Sequence, residues 1–503
     1  MATPSEKLAE SLRALRDLQQ TGTVAIRSSD LSRTHRERLI KNGFLQEVMK
    51  GWYVSARPDE RKGESTAWYT SFWGFCAAYL NDRFNQSWSL SPEQSLFLHT
   101  GNWTVPRQLL VRAPKGGNKP IQLPYETSIL DVRASLPALD QAYTIEKLHV
   151  FSLPASLVQI GPGMFRNNAI DVRAALAMIG DASEVLSILL EGGHSTIAGR
   201  LAGAFRNIGR GKIADEIIKS MKAADYKVNE TDPFKETSTL ILGSREPSPY
   251  VTRIHLMWQE MRDSVIKIFP APPKEKIDID AYLKNVDDVF VTDAYHSLSI
   301  EGYRVSEALI EKIRDGKWDL HNDEEDREHR NALAARGYFE AFQLVKNSVK
   351  KVLEGAIAGD IADNDHGEWY RKLFVPSATA GIIRPADLAG YRNGPVYIRQ
   401  SMHVPPPKEA VRDLMPAFFN LLREEEHPAV RIVLGHLIFV YIHPYFDGNG
   451  RIGRFLMNVM MASGGYPWAV ITVEKRDKYM NALEQASVNK DIEPFANFLA
   501  KLS

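Results

Sequence analysis

The spacing of apolar residues predicts a mainly helical chain that also contains short strands in its first part. Residues 5–19 carry leucines at helical spacing, and residues 28–44 predict a second helix with a glycine stop. Residues 44–55 alternate between apolar and polar positions around Lys50-Gly51, which is typical of two strands joined by a tight turn.

The connecting stretches divide the chain into three predicted domains. The order helix, turn, helix and ribbon predicts a winged helix-turn-helix over residues 1–60, which ends in a polar stretch at 55–65. Residues 61–245 mix predicted strands and helices, so an α+β domain is expected there. A proline-rich stretch at 243–251 marks the start of the last predicted domain, residues 246–503.

Composition favours an ordinary globular protein. The 503 residues include 62 basic and 62 acidic side chains, so the balanced charge argues against a protein that coats polyanions. Cys76 is the single cysteine, which excludes an intramolecular disulfide and a cysteine-based metal site. The N-terminus lacks the pattern of a secretory signal, and the apolar segment 431–446 is shorter than the ~20 residues that cross a bilayer. We therefore expect a cytoplasmic protein without membrane contact.

Positive side chains cluster on the second predicted helix, where Arg33, His35, Arg36 and Arg38 follow one another closely. Residues 27–57 carry a net charge of +4. Such a helix can lie in a major groove and contact phosphates, so DNA is one predicted partner. The alternatives are a solvated surface helix and a winged helix that binds protein.

The segment HPYFDGNGRIGR, residues 443–454, concentrates the candidate chemistry of the chain. The preceding residues 427–442 are apolar almost all round and predict a buried central helix. Pro444 ends that helix because proline has no N–H and clashes with the preceding turn. His443 is therefore expected at a helix end, where its side chain can meet a substrate.

The second half of the segment predicts an anion site. Gly448 and Gly450 can take positive φ, which lets successive backbone N–H groups turn toward one ligand. A new helix follows directly and directs its positive end to the same place, with Arg451 and Arg454 on one face. With Asp447 as a metal ligand, this set suits a polyphosphate bound with a divalent cation.

The segment resembles the Fic motif, HPFx(D/E)GNGRxxR, with Tyr445 in place of the usual phenylalanine. The resemblance extends over roughly residues 250–503 and implies an all-helical core with a β-hairpin flap. Most Fic domains transfer AMP from ATP to a protein hydroxyl, and a histidine of near-neutral pKa can accept the hydroxyl proton. The implied roles are His443 as general base, Asp447 as Mg2+ ligand, and Gly448, Asn449, Gly450, Arg451 and Arg454 as ATP contacts.

A second short pattern, SLSIEG, matches the inhibitory motif (S/T)xxxE(G/N) of that family through Ser297, Glu301 and Gly302. Ser297 and Glu301 are four residues apart and would share one face of a helix near 290–305. The resemblance implies that Glu301 pairs with Arg454 and occupies the guanidinium that the γ-phosphate needs. This predicts an enzyme that restrains itself.

Two further expectations concern substrates. Residues 389–407 resemble the Fic flap, in which Val396, Tyr397 and Ile398 would pair with an extended segment of the target protein. That target would offer a Ser, Thr or Tyr hydroxyl, and this chain itself is a candidate. Tyr479 is expected either to flank the adenine or to pack in the core.

The first 240 residues resemble the AbiEi family of antitoxins and regulators, through THRERLIKNGFLQEVMKGWYV and LHTGNWTVPRQLLVRAP. That resemblance implies DNA binding as a possibility. Two alternatives to AMP transfer therefore stay open. One is a transcriptional regulator whose Fic domain senses a nucleotide, and the other is a Fic enzyme with different chemistry, such as UMP transfer or AMP removal.

Overall fold

The computed structural model describes residues 3–58, 65–234, 248–273, 277–317 and 326–503. Contacts divide the chain into an N-terminal unit, Met1–Pro249 with Tyr397–Val404, and a C-terminal unit, Tyr250–Val396 with Pro405–Ser503. The predicted domain borders at 60/61 and 245/246 lie outside the described residues.

The N-terminal unit begins with a small helix-and-sheet module. Thr3 caps the first helix in a reciprocal capping box with Glu6. The three strands form an antiparallel sheet with the last strand in the centre, and Gly51 turns the ribbon with φ +83°. The predicted helices and ribbon are therefore present, with one additional strand. The elements are α1 (Pro4–Gln20), β1 (Ala25–Arg27), α2 (Arg33–Lys41), β2 (Leu45–Met49) and β3 (Trp52–Ser55).

The rest of this unit has α+β architecture, as expected. Four strands form a mixed sheet in the order β4-β5-β7-β6, in which β5 and β7 are parallel, and β8 and β9 form a separate hairpin. Cys76 is fully buried in the aromatic core under this sheet, and burial raises the pKa of its thiol well above the usual value. The strands are β4 (Ser89–Leu90), β5 (Gln108–Ala113), β6 (Pro120–Gln122), β7 (Ser128–Arg133), β8 (Ala142–Ile145) and β9 (Leu148–Phe151). The helices are α3 (Thr66–Phe84), α4 (Pro92–His99), α5 (Leu153–Gln159), α6 (Pro162–Asn167), α7 (Ala169–Met178), α8 (Ser183–Glu191), α9 (Ser195–Asn207) and α10 (Gly211–Ala223), with a 3-10 turn at Leu139–Gln141.

The C-terminal unit is built from helices around a buried central one. From Ala429 to Ile442 that central helix is buried at every position except Arg431, which confirms the prediction from its apolar sequence. The helix that follows it in the chain packs directly against it. The helices are α11 (Pro249–Ile268), α12 (Ile279–Ile300), α13 (Glu307–Arg314), α14 (Asp326–Leu353), α15 (Ala358–Thr379), α16 (Lys408–Glu424), α17 (Pro428–Ile442), α18 (Asn449–Ser463), α19 (Arg476–Val488) and α20 (Glu493–Ala500), with 3-10 turns at Pro385–Leu388 and Val473–Lys475.

Two expectations from the sequence can be judged at this level. The mainly helical class is confirmed, but the predicted β-hairpin flap was wrong, because residues 389–407 contain no β-strand. Among the described residues, no helix combines the length and the apolar character that spanning a bilayer requires.

Candidate active site

His443 lies at the C-terminal end of α17 in a left-handed backbone conformation, with φ 54° and ψ 60°. Pro444 disfavours the right-handed helical conformation at the preceding residue, so the helix stops here. The Nδ1 atom is 3.1 Å from the carbonyl oxygen of Val440. A carbonyl only accepts, so Nδ1 carries the proton and Nε2 presents a free lone pair. The imidazole therefore has the tautomer that a general base needs.

The surroundings keep this imidazole neutral. Burial lowers the pKa of His443 to about 4, and the positive charge of Arg392 acts in the same direction. At neutral pH the side chain is thus an unprotonated acceptor.

The loop after His443 is fixed by its own side chains. Asn449 is buried, and its amide accepts from the N–H of Tyr445 and donates to the carbonyl of the same residue. Gly448 has φ +79°, and a Cβ there would lie 2.8 Å from the ring of Phe374. Both facts explain why this loop requires a glycine and an asparagine. The Asn449 side chain, predicted as an ATP contact, is thus used to hold the loop.

Helix α18 begins directly at this loop. The first intrahelical bond runs from the N–H of Ile452 to the carbonyl of Gly448, so the N–H groups of residues 449–451 have no partner within the helix. The positive end of the helix dipole lies at the same place. These N–H groups are therefore available to bind an anionic ligand, which is what the predicted anion site requires.

Two buried guanidiniums flank this helix end. Arg451 is 1% exposed and lies against the rings of Phe374 and Tyr303, at 4.9 and 5.2 Å from their centroids. Its Nε and Nη2, together with Nη1 of Arg454, are buried without a hydrogen-bond partner among the described residues. Buried donors of this kind cost free energy unless an acceptor arrives. These donors are therefore available to an anionic ligand.

Arg454 is engaged on its other side by helix α12. Its Nε donates to Oγ of Ser297 at 2.8 Å, and Nη2 donates to the Ser297 carbonyl at 3.0 Å and to Oε1 of Glu301 at 2.8 Å. Burial by itself would lower the pKa of Arg454, but the charge of Glu301 and its hydrogen bond outweigh burial and raise the pKa. The structure thus brings the two predicted motifs into direct contact through Glu301 and Arg454, which are 153 residues apart in the chain.

A cavity of about 550 Å3 opens beside this pair. It has the volume of a small-molecule site. The lining residues are Glu301, Gly302, Tyr303, Arg304, Arg330, Asn331 and Asp447.

Asp447 is the candidate metal ligand, and its side chain is 63% exposed at the cavity. Its Oδ1 accepts from the N–H of Gly448 at 2.6 Å and lies 3.6 Å from Nη2 of Arg451. The described residues contain no cluster of three metal-ligating side chains. A single carboxylate fits Mg2+, which proteins commonly hold with one or two carboxylates, substrate phosphates and water.

Two side chains close to the site, those of His436 and Tyr479, lie in the core. His436 is fully buried, with Nδ1 2.8 Å from the Gly453 carbonyl and Nε2 2.7 Å from the hydroxyl of Tyr479. Tyr479 is 1% exposed and packs on Phe495. The structure therefore shows Tyr479 in core packing, the second of its two predicted roles, and does not place it in the cavity.

The predicted flap residues are placed differently from the expectation. Burial alternates across Val396, Tyr397 and Ile398, and Tyr397 is 43% exposed, but the segment pairs with no strand. Residues 397–404 pack within the N-terminal unit, where the N–H of Val105 donates to the carbonyl of Met402 at 2.9 Å.

The basic residues predicted to face DNA make contacts inside their own module. Arg38 donates to the Lys7 carbonyl and to Oγ of Ser11, and His35 lies 2.9 Å from the same Oγ. Arg36 donates to a backbone carbonyl at 2.7 Å, and Arg33 pairs with Glu37. His35, Arg36 and Arg38 therefore attach α2 to its neighbours, whereas the Arg33 pair lies within α2 on its exposed surface.

Sequence reasoning missed several residues of the site. Tyr303 and Arg304 directly follow the inhibitory motif in the sequence. An aromatic and a basic residue next to that motif could have identified them as lining residues of the cavity. Phe374 and Arg330 come from other helices, and no local pattern marks them. Arg392 lies within the predicted flap segment, but its contact with the His443 carbonyl depends on the fold.

Comparison with known proteins agrees with this geometry. The model of the Fic/DOC family matches residues 366–461. Protein adenylyltransferase Fic from Nematostella vectensis is 30% identical over 255 residues, 48% of this chain and 54% of that protein. The protein of the same name from Culex quinquefasciatus is 31% identical over 230 residues, 44% of this chain and 42% of its own. The chain thus spans about half the length of the curated relatives it matches.

Among solved structures, a segment of Fic-1 from C. elegans is similar, with 20% identity and a TM-score of 0.37. The similarity covers 67% of this chain and 95% of that one. A Fic family protein from Desulfovibrio desulfuricans is 19% identical with a TM-score of 0.33, covering 51% of this chain and 72% of that one.

Proposed function

We propose that the protein is a protein adenylyltransferase, which transfers AMP from ATP to a Ser, Thr or Tyr hydroxyl. The observation that carries this proposal is the set of buried guanidinium nitrogens of Arg451 and Arg454 at the start of α18 that have no hydrogen-bond partner among the described residues. They flank a glycine turn and lie near a neutral imidazole at the end of α17. Similarity to proteins named adenylyltransferase supports the same reaction.

His443 would act as the general base. The hydroxyl oxygen of the target attacks the α-phosphorus of ATP, its proton moves to Nε2, and the bond to the bridging oxygen breaks to release pyrophosphate. The free lone pair on Nε2 and the low pKa of this histidine support that role. The low pKa keeps the base unprotonated at physiological pH.

The start of α18 would hold the negative charge of the triphosphate. The N–H groups of Gly450 and Arg451, the glycine turn at Gly448 and the two guanidiniums are donors for phosphate oxygens. Arg454 would bind the γ-phosphate through donors that now lack an acceptor or contact Glu301. Asp447 would hold Mg2+, which neutralises charge on the leaving pyrophosphate when bound.

Glu301 would keep the enzyme in a restrained state. Its carboxylate occupies Nη2 of Arg454, and Ser297 occupies Nε of the same guanidinium. A triphosphate could then bind only with its γ-phosphate displaced, which misplaces the α-phosphate for in-line attack. Helix α12 is fastened within the same unit, since Tyr338 donates to Asp293 at 2.6 Å and Arg476 donates to the Ile300 carbonyl at 3.0 Å.

The target would be a protein, including this chain itself. Val396, Tyr397 and Ile398 are the proposed contacts for an extended target segment, and the 43% exposure of Tyr397 supports access from solvent.

The two alternatives receive different support. A glutamate beside a nucleotide site can orient water, so AMP removal remains a second reaction for the same residues. DNA binding is a separate hypothesis, and the internal contacts of Arg36 and Arg38 leave fewer donors for phosphates. A gel shift with the DNA upstream of the protein's own gene tests it. Binding through phosphates should weaken as the salt concentration rises, and absent or salt-insensitive binding would contradict the hypothesis.

The function is tested by incubating the wild type and Glu301→Gly with each labelled nucleoside triphosphate and Mg2+, followed by mass analysis. The expected result is a protein adduct of AMP on a Ser, Thr or Tyr, formed faster by the variant. Labelling by another nucleotide would establish the related reaction, and absence of any adduct with a folded variant would refute nucleotide transfer. Release of AMP from a pre-modified protein would favour hydrolysis.

A further inference from the structure

Arg392 is a buried guanidinium that contacts backbone carbonyls on two sides of the candidate site. Only 2% of the residue is exposed. Its Nε donates to the His443 carbonyl at 2.8 Å, and Nη2 donates to the carbonyls of Ile442, at 3.4 Å, and Pro406. Its Nη1 donates to the Gly394 carbonyl at 3.2 Å. A planar fork of five donors suits this arrangement, whereas an ammonium has three donors at one point.

The first group of these contacts is made with the backbone of His443 and the residue before it. His443 has φ 54°, a left-handed conformation that is unfavourable for a side chain other than glycine. The backbone N–H of Arg392 also donates to the Pro444 carbonyl at 2.9 Å, so Arg392 binds the last carbonyls of α17 and the residue after it. A cation at a helix C-terminus is favourable for the same carbonyls. Arg392 thereby stabilises the conformation that presents Nε2.

The second group concerns the segment proposed to hold the target. Gly394 and Pro406 lie on the two sides of residues 395–405, and one guanidinium binds the carbonyls of both. The same side chain therefore connects the segment that would position the hydroxyl to the residue that would remove its proton.

We propose that Arg392 is a positioning residue for the transfer reaction, setting the distance between the incoming hydroxyl and His443. This inference rests on the proposed function. Arg392 contacts backbone atoms in the structure, so its effect acts through His443 and the flanks of residues 395–405. Since a displacement of about 1 Å can cost ~10²-fold in rate, its loss should reduce turnover strongly.

The test uses the full chain carrying Glu301→Gly, with Arg392→Lys or Arg392→Gln added. We expect kcat for AMP transfer to fall by ~10²-fold in both, while KM for ATP and calorimetric ATP binding stay at the level of the parent variant. A structural defect would instead lower ATP binding and thermal stability together with kcat.

Arg431→Lys is the matched control. Arg431 also donates from a partly buried guanidinium to backbone carbonyls, those of Glu425 at 2.6 Å and Glu426 at 3.2 Å, but in the first turn of α17. We expect it to alter stability without changing kcat. If Arg392→Lys or Arg392→Gln folds poorly, Arg392→Ala provides a second measurement. Its kcat should rise when guanidinium ion is added, because the ion can replace the missing side-chain group.

The possible outcomes separate the two proposals. If Glu301→Gly forms no nucleotide adduct, the proposed function fails. If Glu301→Gly is active and Arg392→Lys retains its full kcat, or Arg431→Lys loses as much kcat as Arg392→Lys, the positioning role fails while the function stands.

Discussion

The carboxylate of Glu301 lies 2.8 Å from Nη2 of Arg454, at the mouth of a cavity beside the start of α18. The side chain of Glu301 is 26% exposed and that of Arg454 is 4% exposed, so the acid closes the solvent side of a buried cation. A methyl group added at Gly450 would collide with the same carboxylate, which shows how tightly the acid fits over the helix end. This pair connects the regulation and the chemistry that we propose.

Removing the acid should activate the enzyme. We expect Glu301→Gly to increase the rate of labelling by radioactive ATP, because Arg454 gains donors for the γ-phosphate. A hundredfold increase corresponds to a preference of about 2.7 kcal/mol for the restrained state. Glu426→Gly, at an exposed position between α16 and α17, is the control for loss of one carboxylate and gain of one glycine. Unchanged or lower labelling by a folded Glu301→Gly would contradict the restraint.

Removing the base should abolish transfer without abolishing nucleotide binding. We expect His443→Ala, in the Glu301→Gly chain, to lose ~10²–10⁴-fold in rate, since a general base contributes that much. Calorimetry should show ATP binding of undiminished affinity, because phosphate donors come from α18. His427→Ala, at the opposite end of α17, is the control and should keep its rate. Full transfer by His443→Ala would rule out this role.

The pH dependence follows from the lowered pKa of the base. Burial lowers the pKa of His443 to about 4, so the imidazole is neutral and competent above that pH. The value of kcat/KM should therefore be level from neutral pH down to about pH 5 and fall as the pH drops through about 4. The measurement is a pH–rate profile of Glu301→Gly. A profile that falls already around the ordinary histidine value of 6.5 would show that the base is solvated.

Gly448 and Gly381 both have positive φ, but only Gly448 has a side chain close to its Cβ position. Alanine substitutions at the two positions therefore distinguish the cost of backbone strain from the cost of a steric clash. Gly381 has φ +73° with nothing near its Cβ position, so Gly381→Ala should cost only about 1–2 kcal/mol of unfolding free energy. Gly448 has a similar φ, but an added Cβ lies 2.8 Å from Phe374. We expect Gly448→Ala to cost more, measured by denaturant unfolding, and also to weaken ATP binding. Equal costs would indicate that Phe374 moves aside freely.

Much of the candidate site could be predicted from the sequence because its chemistry is local. Seven consecutive turn and helix-start residues, 448–454, fix both the glycine turn and the spacing of Arg451 and Arg454. The end of α17 was predictable for the same reason, since Pro444 acts on its neighbour.

The flap and the adenine contact show where local patterns fail. Val396 and Ile398 alternate as in a strand, but a strand needs a hydrogen-bonding partner that only the fold supplies. For Tyr479 the helical spacing allowed either packing or binding, and only the fold shows its hydrogen bond with buried His436.

The sequence by itself determined the helical class, the buried course of α17, the left-handed glycine turn and the spacing of His443, Asp447, Arg451 and Arg454. Each of these depends on residues within one or two turns of one another. The tertiary structure decided the pairing of Glu301 with Arg454, the tautomer and low pKa of His443, and the position of Arg392 between two segments. Those features depend on burial and on distances between residues far apart in the chain, which no local spacing encodes.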